Sequence, residues 1–114
     1  MRYKQLALDN QVWLSLGSFP ERDEFNKDIL YQTHAIVNQE GSMTASYRKM
    51  HMFDALITDP DQDVKNIEIR ESKTFRHGTK ITEPCFSPVG YLGLSISYDV
   101  RFPELYRHLI LKGA

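Results

Sequence analysis

Ser97 stands where a residue type and its position could combine into chemistry. It ends the apolar run of residues 89–97 and is followed at once by Tyr98, Asp99, Val100, Arg101, Phe102, Pro103, Glu104 and Leu105. A hydroxyl at the end of a buried strand is held rigidly. If the following turn aims backbone N–H groups at it, an oxyanion can be stabilised there. The competing reading is a small residue filling a crowded strand end. Asp99, Arg101 and Glu104 have two readings as well: a structural charge network at the start of a helix, or contacts to a substrate.

Other chemical arrangements fail on their spacing. Asp59, Asp61 and Asp63 sit at the first three ligand positions of a calcium loop, but Val64 replaces the required glycine and Arg70 the bidentate glutamate. Cys85 with His51 or His77 lacks any local signature of a cysteine nucleophile, so Cys85 reads as a small buried hydrophobe. The four histidines show no paired ligand spacing, and no metal or cofactor is expected. Met43, Met50 and Met52 read as gap-filling core residues.

The elements that must position these groups form an alternating pattern. Residues 1–10 put Tyr3, Leu6 and Ala7 on one helical face ending near Asn10, with no capping residue ahead of Arg2. Residues 12–17 form a short apolar run, expected as a strand covered on both faces. Residues 20–30 are polar and expected as a loop. Residues 34–37 and 45–48 flank Asn38-Gln39-Glu40-Gly41, which carries hairpin-turn chemistry. The acidic stretch 57–66, with Pro60, reads as an exposed loop. Residues 89–97 read as a second buried strand. Residues 103–112 form an amphipathic helix bounded by Pro103 and Gly113, with Leu105, Leu109 and either Ile110 or Lys112 on its apolar face. This order favours an α/β or α+β architecture.

The composition narrows the function classes. The chain has 114 residues, 41% hydrophobic and 25% charged, which matches a globular domain rather than a disordered or disulfide-dense chain. Fourteen Lys and Arg against fifteen Asp and Glu leave a net charge of −1, so neither nucleic acid nor an anionic membrane is the expected partner. There is no apolar run of the roughly 18 residues that a transmembrane helix needs. The first residues lack the apolar core of a signal peptide. One cysteine fits a reducing compartment. The cytoplasm is therefore the expected location, with mitochondrial targeting open.

Three segments together resemble one family. Read with cysteine at position 97, GLSI-S-YDVRFPEL is similar to the nucleophile motif of the nitrilase, or carbon–nitrogen hydrolase, superfamily. Residues 47–54, YRKMHMFD, resemble the segment that carries its catalytic lysine. Glu71-Ser72-Lys73 followed by Gly78-Thr79-Lys80 resembles its glutamate segment. Trp13-Leu14-Ser15-Leu16-Gly17-Ser18-Phe19 with Glu21-Arg22 looks most like the branch that hydrolyses deaminated glutathione, the omega-amidase branch being less similar there.

The resemblance implies a partial α/β/β/α sandwich and a small amide substrate. In the family a glutamate base deprotonates a cysteine, the thiolate attacks an amide or nitrile carbon, and a lysine ammonium stabilises the developing charge. By motif, Lys49 is that lysine, Glu71 the second glutamate that positions it or the attacking water, and Ser97 the nucleophile position. Residues 1–114 are expected to be part of a carbon–nitrogen hydrolase domain, without the upstream strand bearing the general-base glutamate and without the C-terminal half. The family homodimerises, and a partial domain is expected to need a partner to cover its exposed sheet.

Two departures bear on activity. Ser97 replaces the cysteine, and a hydroxyl is a far weaker acid than a thiol of pKa about 8.5. The stretch between Lys49 and Glu71 is also longer than the resemblance leads one to expect. An impaired amidase and a non-catalytic, subunit-binding remnant are therefore the two expectations.

Overall fold

The computed structural model describes residues 2–58 and 67–114; the acidic stretch 59–63, and with it the rejected calcium spacing, lies outside the described residues. The chain is mixed helix and strand, in the α+β sense expected. Helix α1 (Arg2–Asn10) closes with Gln11 in the left-handed region at φ 52°, where Val12 N–H reaches Ala7 O at 3.1 Å and Gln11 N–H reaches Leu8 O at 3.2 Å. Those two bonds satisfy carbonyls that a helix end otherwise leaves without partners. Its Ala7 is buried, and the helix packs against β2.

Strands β1 (Leu14–Arg22), β2 (Leu30–Val37) and β3 (Met43–Arg48) form an antiparallel sheet in that order. The β2–β3 hairpin turns at the expected Asn38–Gly41 segment. There Gly41 N–H bonds Asn38 O at 2.9 Å, and the Asn38 carboxamide accepts from Ser42 N–H at 2.8 Å. The first strand differs from expectation. It starts at Leu14, alternates between partly buried and exposed residues rather than being covered on both faces, and continues to Arg22 through residues expected as loop. It is an edge strand among the described residues, and an edge tolerates Pro20. Between Ser15 and Ser18 the register shifts at Gly17, whose φ of 60° places a bulge that ordinary side chains resist.

Two hairpins follow. Strands β4 (Asp54–Ile57) and β5 (Ile67–Arg70) pair from Asp54↔Arg70 to Ile57↔Ile67. Strands β6 (Cys85–Ser87) and β7 (Gly90–Leu92) pair across Pro88 and Val89. The expected strand 89–97 is thus shorter as a ladder. Beyond Leu92, no strand is assigned to residues 93–96, and Leu94 and Ile96 are buried. A 3-10 turn (Ser97–Arg101) leads into helix α2 (Pro103–Leu111), which buries Leu105 and Leu109 and leaves Ile110 exposed.

The core lies between one face of the sheet and α2. Ile36 and Tyr47 from β2 and β3 pack with Leu94, Ile96, Leu105 and Leu109, and Trp13, Met50, Cys85 and Tyr106 pack around them. Each fully buried aliphatic side chain contributes about 1.5–3 kcal/mol by leaving water. The core therefore fixes β3 and the segment before Ser97 relative to each other. Cys85 joins this packing as expected of a small hydrophobe, and burial pushes its thiol above the ordinary range. Among the described residues no helix is long and apolar enough to cross a membrane, and no group of His, Cys, Asp and Glu is arranged to hold a metal ion.

Candidate active site

Lys49 directly follows β3, two residues after the core residue Tyr47, and both side chains are buried. Its N–H bonds Gln32 O at 2.8 Å, and its carbonyl accepts from Gly78 N–H at 2.7 Å. The backbone is thus held on both sides while the side chain runs inward, 1% exposed. A buried ammonium needs a counter-charge, and Glu71 supplies it. Both carboxylate oxygens reach Nζ, Oε1 at 2.7 Å and Oε2 at 2.5 Å.

Glu71 is placed by the β4–β5 ladder. The strand β5 delivers it to a short 3-10 turn (Glu71–Lys73), where its N–H bonds Phe53 O at 3.2 Å and its Oε2 accepts from Phe53 N–H at 2.7 Å. At the hairpin's base Asp54 is held below the usual carboxylate range by hydrogen bonds from the Ser72 hydroxyl and N–H.

Ser97 begins the 3-10 turn with φ 48°, a left-handed conformation uncommon for any residue but glycine. The turn is a tight elbow, and Ser97 is exposed on it. Lys49, Glu71 and Ser97 share one cavity of about 710 Å³, walled by Phe53, Phe75 and Tyr98 among others. Three residues 22 and more positions apart thus meet at one opening. A hydroxyl on an elbow, with an ion-paired ammonium in the same apolar-walled cavity, is an arrangement suited to acyl transfer.

Asp99 sits behind the elbow, fully buried, with four donors: Tyr47 Oη–H at 2.8 Å, Ile96 N–H at 2.9 Å, His51 N–H at 3.1 Å and His51 Nδ1 at 2.6 Å. His51 stacks on Phe102 at 3.6 Å between ring centroids. Burial first, and then the Asp99 carboxylate, push the Tyr47 phenol well above its usual range.

Of the two readings of Asp99, Arg101 and Glu104, the charge network among the three does not form. Among the described residues no ion pair joins Arg101 or Glu104 to Asp99, because Asp99 is already saturated by the donors above. Arg101 instead lines the cavity, and Glu104 is exposed in the first turn of α2, where an acidic side chain suits the helix dipole. Sequence reasoning missed Tyr47, His51 and Phe53. The signal was the two-residue alternation of 47, 49, 51 and 53 through YRKMHMFD, which puts a phenol, an ammonium, an imidazole and a benzyl group on one side of an extended segment.

Solved structures share this arrangement of elements. The Caenorhabditis elegans NitFhit protein superposes with a TM-score of 0.84 and 37% identity, over 99% of this chain and 26% of that one. Saccharomyces cerevisiae Nit3, described as a member of branch 10 of the nitrilase superfamily, gives 0.75 and 30%, over 98% of this chain and 35% of that one. The fold is that of the nitrilase superfamily. The family described as Carbon-nitrogen hydrolase matches residues 1–114, and the chain belongs to it. A deaminated glutathione amidase of Dictyostelium discoideum is 48% identical over 110 residues, covering 95% of this chain and 35% of that protein. The chain thus spans about a third of the length of such relatives.

Proposed function

We propose that residues 1–114 are part of an amide-hydrolysing domain similar to deaminated glutathione amidase, in which Lys49 stabilises the oxyanion, Glu71 holds Lys49 and Ser97 occupies the nucleophile position. The observation that carries this reading is the buried Lys49–Glu71 ion pair in the cavity onto which Ser97 opens. An ammonium fixed by a carboxylate and shielded from water stabilises developing negative charge more strongly than one in bulk solvent. A nucleophile on the elbow attacks the amide carbon and its proton passes to a base. The amine or ammonia leaves, and water then releases the acid. The base is a glutamate on an upstream strand in this reading.

Serine makes the site slow. Its hydroxyl ionises far less readily than a thiol, and serine nucleophiles depend on a His or Lys base. Lys49 is committed to Glu71 by both carboxylate oxygens, so its ammonium acts as the charge stabiliser rather than as the base. The same observation favours a second reading, a non-catalytic remnant that pairs with another subunit.

The experiment completes the chain with the flanking segments of its relatives and compares Ser97 with Ser97→Cys by ammonia release from short omega-amide acids. Activity that appears with cysteine and is lost with Lys49→Ala supports the amidase reading. Silence in both forms, with the fold intact, supports the remnant.

A further inference from the structure

We infer that Asp99 is the positioning residue of this site, a carboxylate that staples the segment bearing Lys49 to the elbow bearing Ser97; the inference rests on the amidase reading for its catalytic meaning, though not for its geometry. Its four donors come from two separate segments. Tyr47 and His51 bracket Lys49 by two residues on either side, while Ile96 directly precedes Ser97. The Tyr47 hydroxyl also accepts Met50 N–H at 3.2 Å, so Met50 is tied to the carboxylate through Tyr47.

On the elbow side the closure is reciprocal. Ile96 N–H donates to Asp99 Oδ2 at 2.9 Å, and Asp99 N–H donates to Ile96 O at 3.1 Å. The two bonds enclose Ser97 and Tyr98, and they hold Ser97 at its φ of 48°. A strained backbone angle persists only where its surroundings over-determine it. Every donor around Asp99 is neutral or a histidine, and no solvent reaches the carboxylate. An amide in its place would present an N–H₂ group to donors, so no rotamer of Asn satisfies all four.

The test reads the distance between Lys49 and position 97 through thiol reactivity. It therefore works whether or not the chain hydrolyses amides. In the 114-residue chain, Ser97→Cys is combined with Cys85→Ser, and alkylation by iodoacetamide is followed against pH with mass-spectrometric mapping of the product. An ammonium near a thiol raises its thiolate fraction, and one pKa unit is a tenfold change. Asp99→Asn is expected to slow alkylation at pH 7 by about fivefold, with the rates converging above the thiol pKa. In a Lys49→Ala background the same change is expected to do nothing further, because the two act through one distance. Tyr47→Phe, which removes one of the four donors to Asp99 and the acceptor of Met50 N–H, is expected to move the profile in the same direction by a smaller factor. An unchanged pH profile in Tyr47→Phe and Asp99→Asn overturns the inference, as does an equal fold-loss with and without Lys49, even if melting temperatures fall. Failure of the amidase reading would appear separately, as absent ammonia release beside an intact alkylation pattern.

Discussion

Replacing Glu71 with Gln should destabilise the chain more than removing the lysine it holds. Lys49 is 1% exposed and the Glu71 side chain 17%. The substitution keeps shape and one carbonyl oxygen, but it strands a buried ammonium among neutral acceptors. Removing one member of a buried pair costs about 3–5 kcal/mol, and the partial exposure of Glu71, which admits water, sets the expectation near the lower end, about 3 kcal/mol. With a urea slope of about 1.5 kcal/mol per molar, the midpoint falls by about 2 M. Lys49→Met leaves only Glu71 behind, still accepting Phe53 N–H and reached by water, so its cost is about 1–2 kcal/mol. The double variant removes both charges and should cost less than the sum of the singles. Urea unfolding followed by far-ultraviolet circular dichroism and by Trp13 fluorescence measures all three. A Glu71→Gln loss smaller than that of Lys49→Met, or strict additivity in the double variant, would refute the view that Glu71 compensates a buried charge.

Three other expectations follow from single features. Glu21 is held below its ordinary range, chiefly by its hydrogen bond from Arg48. A depressed folded-state value adds stability above the unfolded value of about 4.5, which is lost as pH falls through the folded value. Arg48→Met should return the Glu21 titration toward 4.5 in carboxyl-carbon NMR and flatten the acid side of the stability curve. Ser97→Gly should raise the thermal midpoint slightly, by relief of up to about 1 kcal/mol of strain, while Ser97→Val should lose about 2 kcal/mol or more. Gly78→Ala places a Cβ 2.2 Å from the Arg48 carbonyl oxygen. Backbone must therefore shift beside Lys49, and calorimetry should register a loss of about 2 kcal/mol or more.

What the sequence made legible was local. The Asn38–Gly41 turn and the Pro103–Gly113 bracket are written in neighbouring residues whose backbone preferences need no distant partner. The extension of β1 through Pro20 was hidden, because proline argues against a strand until the strand is known to lie at an edge. The β4–β5 pairing joins two four-residue strands across a polar stretch, and the alternation of Ile67, Glu68, Ile69 and Arg70 is too short to announce a strand by itself. At the site, Lys49, Glu71 and Ser97 are singled out by motif resemblance alone, since the ion pair links residues 22 positions apart. In the sequence Asp99 is one charge among three near a helix start, open to a charge network or a substrate contact. Its side-chain partners His51 and Tyr47 are 48 and 52 positions upstream, and only the folded chain brings them to it.

The β4–β5 hairpin has a consequence for how such chains can vary in length. Asp54 pairs with Arg70 and Ile57 with Ile67, so the ladder locks Phe53 beside Glu71 whatever number of residues joins Ile57 to Ile67. Ile57 and Ile67 pair at the end of the ladder away from Glu71. Doubling the number of residues between them adds only about 0.6 kcal/mol of closure entropy. Insertions there are absorbed before they reach the carboxylate, so the long spacing between Lys49 and Glu71 is compatible with an undisturbed ion pair. By contrast, a single residue added between Phe53 and Asp54, or between Arg70 and Glu71, would turn Glu71 away from Lys49. The ladder acts as a length buffer, and it confines free variation to the residues between Ile57 and Ile67.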